Sequence, residues 1–140
     1  MIMALAMALA GAAPTGFVWH AANGPGTVQY GRPGTDDRAL RIDCVEGRLS
    51  IGGPAAFSAP EGTATIVTFT TPAGRARRRA TMEVAGDGIN FFAPVLPNDP
   101  ALRALIRGQS LRIRHGRDEY RVPGRGSAAL LRRLIRTCRR

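Results

Sequence analysis

Few kinds of side chain in this sequence have chemistry to offer. They are two cysteines (Cys44, Cys138), two histidines (His20, His115), four serines (Ser50, Ser58, Ser110, Ser127) and a large set of arginines. A hydrolase needs a nucleophile, a base and an oxyanion site brought together. None of the serines stands in a nucleophile-elbow pattern. The one imidazole with carboxylates close in sequence is His115, followed by Asp118 and Glu119, so a small hydrolase would have to work from His115 with Asp118 or Glu119. The plainer reading is an exposed structural histidine at a strand end beside Gly116. Asp36 and Asp37 are adjacent in a polar loop, where they meet water rather than each other. Cys44, Cys138, His20 and His115 show no metal-ligand spacing. No G-x-x-x-x-G-K loop is present, and the chain has no lysine with which to build one. The expectation is a non-enzymatic domain with no catalytic residue, no metal and no cofactor.

The basic residues carry more content. Net charge is +10, all of it from arginine, and such a charge attracts anionic polymers and surfaces with a strength that fades in salt. In the run Arg75-Ala76-Arg77-Arg78-Arg79, a strand would place Arg75, Arg77 and Arg79 on one face about 6 to 7 Å apart, close enough to engage successive anionic groups. Arg132, Arg133 and Arg136, on the polar side of a C-terminal helix, form a second anion-binding candidate. The opposing readings are a GC-rich coding sequence that writes every basic residue as arginine, and a hairpin that uses charge to keep an edge strand from aggregating. Aromatics are 6% of the residues and fall at core positions, leaving no stacking platform. Nucleic acid therefore ranks below anionic envelope lipid, lipopolysaccharide or an acidic protein as partner.

The elements that must position these residues follow from periodicity. Phe17 to Trp19, Thr27 to Tyr30, Ala39 to Cys44, Arg48 to Ile51, Thr63 to Thr71, Arg75 to Val84, Ile89 to Val95, Leu111 to His115, and a partner strand carrying Tyr120 and Val122 read as short strands. They are rich in β-branched and aromatic residues and are separated by Gly- and Pro-containing turns. Alternation directs Leu40, Ile42 and Cys44 inward, and likewise Ala80, Met82 and Val84. Asn98-Asp99-Pro100 opens a short helix near 99–107 that Gly108 stops. Residues 127–138 form an amphipathic helix with Leu130, Leu131, Leu134, Ile135 and Cys138 on one arc and arginines on the other, Ser127 serving as its N-cap. Hairpins rather than crossover helices imply antiparallel pairing. The fold class is mainly β (α+β): an antiparallel β-sandwich or half-open barrel with the C-terminal helix packed on the sheet.

Residues 1–13, MIMALAMALAGAA, are an apolar run the length of a signal-peptide core and too short to span a membrane. Residues 14–140 then make a single β-rich domain. Cys44 and Cys138 both point to the same interior, and in an exported chain the economical inference is a Cys44–Cys138 disulfide. Two separate buried thiols in a cytoplasmic protein are the alternative, and with them a cytoplasmic nucleic-acid-binding function.

Trp19 near the start of the domain, the strand LRIDC ending in Cys44, and the closing GSAALLRRLIRTC together resemble a class of small uncharacterised exported proteins of Gram-negative bacteria. More faintly, they are similar to the periplasmic accessory proteins of type VI secretion systems. The resemblance covers residues 17 to 140 and implies a periplasmic or secreted β-rich domain with one disulfide and no catalytic residues.

Overall fold

Strands form where β-branched and aromatic residues alternate between turn residues. The computed structural model describes residues 15–22, 24, 26–85 and 88–138, so the segment 1–13, read as a signal peptide, lies outside the described residues. The strands are β1 (Val18–Ala21), β2 (Thr27–Gly31), β3 (Arg38–Val45), β4 (Arg48–Pro54), β5 (Ala64–Thr71), β6 (Gly74–Ala85), β7 (Gly88–Val95), β8 (Leu111–His115) and β9 (Asp118–Val122). Helix α1 (Pro100–Ile106) precedes β8, and α2 (Ala128–Cys138) follows β9.

All nine strands join one antiparallel sheet in the order β1-β2-β3-β4-β7-β6-β5-β8-β9. Of the two expected architectures the chain adopts the half-open barrel. The pairing of β4 with β7, from Leu49 opposite Val95 to Pro54 opposite Asn90, joins the two halves that a sandwich would keep apart. The sheet curls until its ends communicate. Tyr120 on β9 donates its hydroxyl to the carbonyl of Ala39 on β3 at 3.0 Å, and the indole Nε1 of Trp19 on β1 donates to the Pro123 carbonyl at 2.8 Å. Gly53 makes the first of these bonds possible, because a Cβ there would stand 2.5 Å from the Tyr120 hydroxyl and 3.1 Å from the Ala39 oxygen.

The inner face is apolar along its length, with Leu40, Ile42, Ile51, Val67, Phe69, Met82, Phe91, Leu111, Ile113 and Val122 buried. Helix α2 lies over β1 to β4 and also touches α1. It buries Leu131, Leu134 and Cys138, with Leu130 and Ile135 half-buried beside them. Helix α1 starts as expected, the Asp99 side chain accepting the Ala101 amide at 2.9 Å ahead of Pro100.

Two local expectations are corrected. The Ser127 hydroxyl does not cap α2. It donates to the Leu105 carbonyl at 2.8 Å, tying the start of α2 to α1, because both lie buried in the helix–helix contact. Val84 is 61% exposed rather than buried, because this end of the β6–β7 hairpin runs past the core.

Cys44 and Cys138 are joined, their Cα atoms 5.7 Å apart across 94 residues of sequence. Closing a loop of that length removes much of the freedom of the unfolded chain, about 4 to 5 kcal/mol in the chain-entropy account. We therefore expect the Cys44→Ala, Cys138→Ala variant to unfold at markedly lower urea concentration, losing several kcal/mol of stability. An unchanged urea midpoint would show that the bond does not hold the fold.

Candidate functional site

His115 occupies the last position of β8 on the inner face and is fully buried, at 0% exposure. Its ring stacks on Phe57 with centroids 4.9 Å apart and lies against Phe91 at 5.1 Å. Nδ1 accepts the backbone amide of Ala56 at 3.0 Å, so the neutral ring carries its proton on Nε2 and donates it to the Thr65 hydroxyl, also at 3.0 Å. Both nitrogens are thus committed. Burial holds the imidazole below its ordinary 6.5, opposed in part by the Asp118 carboxylate across the hairpin. Glu119 points to the other side of the sheet and pairs with Arg112 at 3.2 Å. His115 is therefore neither an exposed residue nor one half of an accessible dyad with Asp118 or Glu119, because the loop carrying Ala56 and Phe57 closes over it. That loop is nonlocal, and nothing near His115 in the sequence signals it.

The outer face of the sheet is a different matter. Directly paired residues of antiparallel strands project from the same side, so the register defines rows. Arg75, Thr70, Arg112 and Arg121 form one row; Arg77, Thr68, Arg114 and Glu119 form the next; Arg79 beside Ile66 begins a third. Strands lie about 4.8 Å apart and alternate residues about 6.7 Å apart. The arginines of β6, β8 and β9 thus make a two-dimensional array over a floor of threonine hydroxyls from β5, and all six are exposed. Only Arg112 has a carboxylate partner among the described residues, namely Glu119.

On β1 to β3 of the same outer face, polar side chains bond one another. Arg41 directs Nε to both Asp43 oxygens at 2.9 and 2.8 Å, Thr27 donates to Asp43 at 2.6 Å, and Gln29 meets His20 at 3.2 Å. Two unit charges about 7 Å apart in water repel by roughly 0.6 kcal/mol before screening. Arg112 directly opposite Arg121 is a like-charge cross-strand pair, which is also unfavourable. The array therefore works against folding. Edge protection does not account for it either, since β6 and β8 are interior strands and only Arg121 sits on an edge.

Arg75, Arg77 and Arg79 stand where alternation places them, on one face of β6. Arg78, between them, turns to the inner side and binds Asp99 Oδ2 through Nε at 3.2 Å and Nη2 at 3.1 Å, which anchors the cap of α1. Arg132, Arg133 and Arg136 are exposed on the solvent side of α2. Because α2 packs on the inner face, the sheet separates them from the β6 arginines, and the two candidate sets do not converge. The residues that do join Arg75, Arg77 and Arg79 are Arg112, Arg114 and Arg121. Their outward direction followed from the alternation of β8 and β9, but their neighbours did not.

A cleft of about 480 Å³ opens beside the disulfide, lined by Leu49, Val95, Leu96, Cys138, Arg78 and Asp99. Arg78 and Asp99 there are engaged with each other, and the exposed Arg48 also lines it. Among the described residues no group of His, Cys, Asp and Glu is placed to hold a metal, and no helix is long and apolar enough to cross a membrane. No protein-family model, no curated protein and no solved structure matches the chain.

Because His115 binds a proton less readily folded than unfolded, the unfolded state takes up more protons as pH drops through the 6.5 region. The contribution of His115 is therefore fully present above about pH 7 and is lost as pH falls toward its lowered folded value. Thermal melting should show stability declining from pH 7.5 to 5.5, and His115→Asn, which keeps an acceptor for the Ala56 amide, should flatten that decline. An equal slope in the two proteins would contradict the assignment.

Proposed function

We propose that this protein is a non-enzymatic binding module whose working surface is the outer face of β6, β5, β8 and β9, presented to an anionic partner. The observation that carries this reading is the contrast, on one sheet face, between β2 and β3 on the one hand and β6, β8 and β9 on the other. Where Arg41 appears, Asp43 pairs with it and is itself held by the Thr27 hydroxyl, whereas Arg75, Arg77, Arg79, Arg114 and Arg121 form no ion pair among the described residues. A like-charge array that opposes stability, carried mostly on interior strands, is what a charged partner would offset.

The partner meets a preformed surface, since the arginines rise from paired strands rather than loops, and little ordering accompanies binding. We place the protein in the periplasm or outside the cell. The Cys44–Cys138 bond supports this, because such bonds persist in oxidising compartments.

The test compares two variants with the same change in net charge. Arg75→Glu/Arg77→Glu/Arg79→Glu reverses three charges on β6, and Arg132→Glu/Arg133→Glu/Arg136→Glu reverses three on α2. On a heparin column, the wild type and the α2 variant should elute at similar salt, and the β6 variant should elute far earlier while retaining its circular dichroism. Equal losses in both variants would mean that net charge, not the sheet face, governs binding.

A further inference from the structure

The array on the outer face also constrains the shape of what it meets. Its arginines occupy three strands and up to three rows, about 14 Å across the strands and about 13 Å along them at the backbone. Resting on the reading of this face as an anion-binding surface, we infer that its partner is the anionic headgroup plane of a phospholipid membrane, on which the sheet lies flat without inserting.

Three other polyanion classes fit less well. A single-stranded nucleic acid is held by aromatic stacking together with charge, and no aromatic residue projects outward from β5, β6, β8 or β9. The major groove of a duplex is about 12 Å wide and admits a helix or a two-stranded ribbon, whereas these arginines are spread over a face four strands wide. An acidic protein would be anchored by a buried apolar centre inside a polar rim. Here Ile66, 41% exposed, is the lone exposed large hydrophobic residue on this face.

A headgroup plane asks for neither groove nor anchor. Each basic residue near such a surface strengthens attachment by about fivefold, so five or six arginines give reversible, salt-sensitive docking. The same pose leaves α2 and the cleft beside the disulfide on the side turned away from the lipid.

The experiment is co-sedimentation of the oxidised full chain with vesicles of phosphatidylcholine containing one-third phosphatidylglycerol, with pure phosphatidylcholine vesicles as control. A fluorescent DNA duplex is titrated in parallel. The protein should bind the anionic vesicles at about 50 mM salt, release by about 0.3 M, and ignore the zwitterionic ones. Arg114→Gln/Arg121→Gln should lower the partition by about 30-fold. Arg132→Gln/Arg133→Gln should change it by less than about threefold, because those side chains face away from the lipid. The wild-type salt titration needs no variant and so does not depend on one folding.

The membrane inference is overturned if the chain binds the heparin column through β6 yet ignores anionic vesicles, or binds the duplex at lower concentration than the vesicles. In both cases the broader anion-binding reading survives. Equal weakening by the two glutamine pairs overturns the docking pose itself, and loss of column binding specificity removes the broader reading first.

Discussion

One covalent bond and one filled interior constrain the rest of this molecule. The sulfur–sulfur link between Cys44 on β3 and Cys138 on α2 holds an eleven-residue helix against β1 to β4. A helix of that length is marginal alone in water. Once it is seated, the concave side of the sheet is closed by α2 at one half and by α1 at the other. Apolar side chains then fill the inner alternation, with the neutral His115 at the end of β8. No inner position remains for an unpaired charge, since burying one is prohibitive. The exception, Arg78, turns inward only because Asp99 receives it at the end of the barrel.

The outer face inherits what the interior excludes, and the two halves of that face dispose of their charge differently. On β2 and β3 the side chains bond one another and are half-buried or buried. On β6, β8 and β9 they extend into solvent over small hydroxyl residues. Since both halves share one sheet and one set of packing constraints, the difference lies in the side chains themselves. Replacing a few arginines by threonine would keep the alternation and relieve the repulsion, so the array is not a by-product of the fold.

Much of this was legible in the sequence, because the strands are short, alternating and separated by glycine- and proline-containing turns. The positions of all nine strands, of both helices, and the inward direction of Cys44 and Cys138 followed from local pattern. Strand order did not. That β5 lies between β6 and β8, so that Thr68 stands between Arg77 and Arg114, depends on which hydrophobic faces meet across α1, and no local signal encodes it. His115 was misjudged for the same reason: its covering residues, Ala56 and Phe57, are distant in sequence and come from an irregular loop. Ser127 matched the pattern of a cap, yet tertiary proximity to the Leu105 carbonyl redirected its hydroxyl. Local periodicity thus specified elements and facing, while long-range pairing specified which charged residues share a surface.

The central claim is that a single surface, the outer side of β5, β6, β8 and β9, receives anions. Amide chemical-shift mapping of the isotope-labelled chain during titration with inositol hexakisphosphate, a small multivalent phosphate, tests it without assuming any biological partner. The account predicts that the shifts gather on residues 64–71, 74–81, 111–115 and 118–122, leaving α2 almost unmoved. Shifts concentrated on residues 128–138, or spread evenly over all exposed arginines, would contradict it.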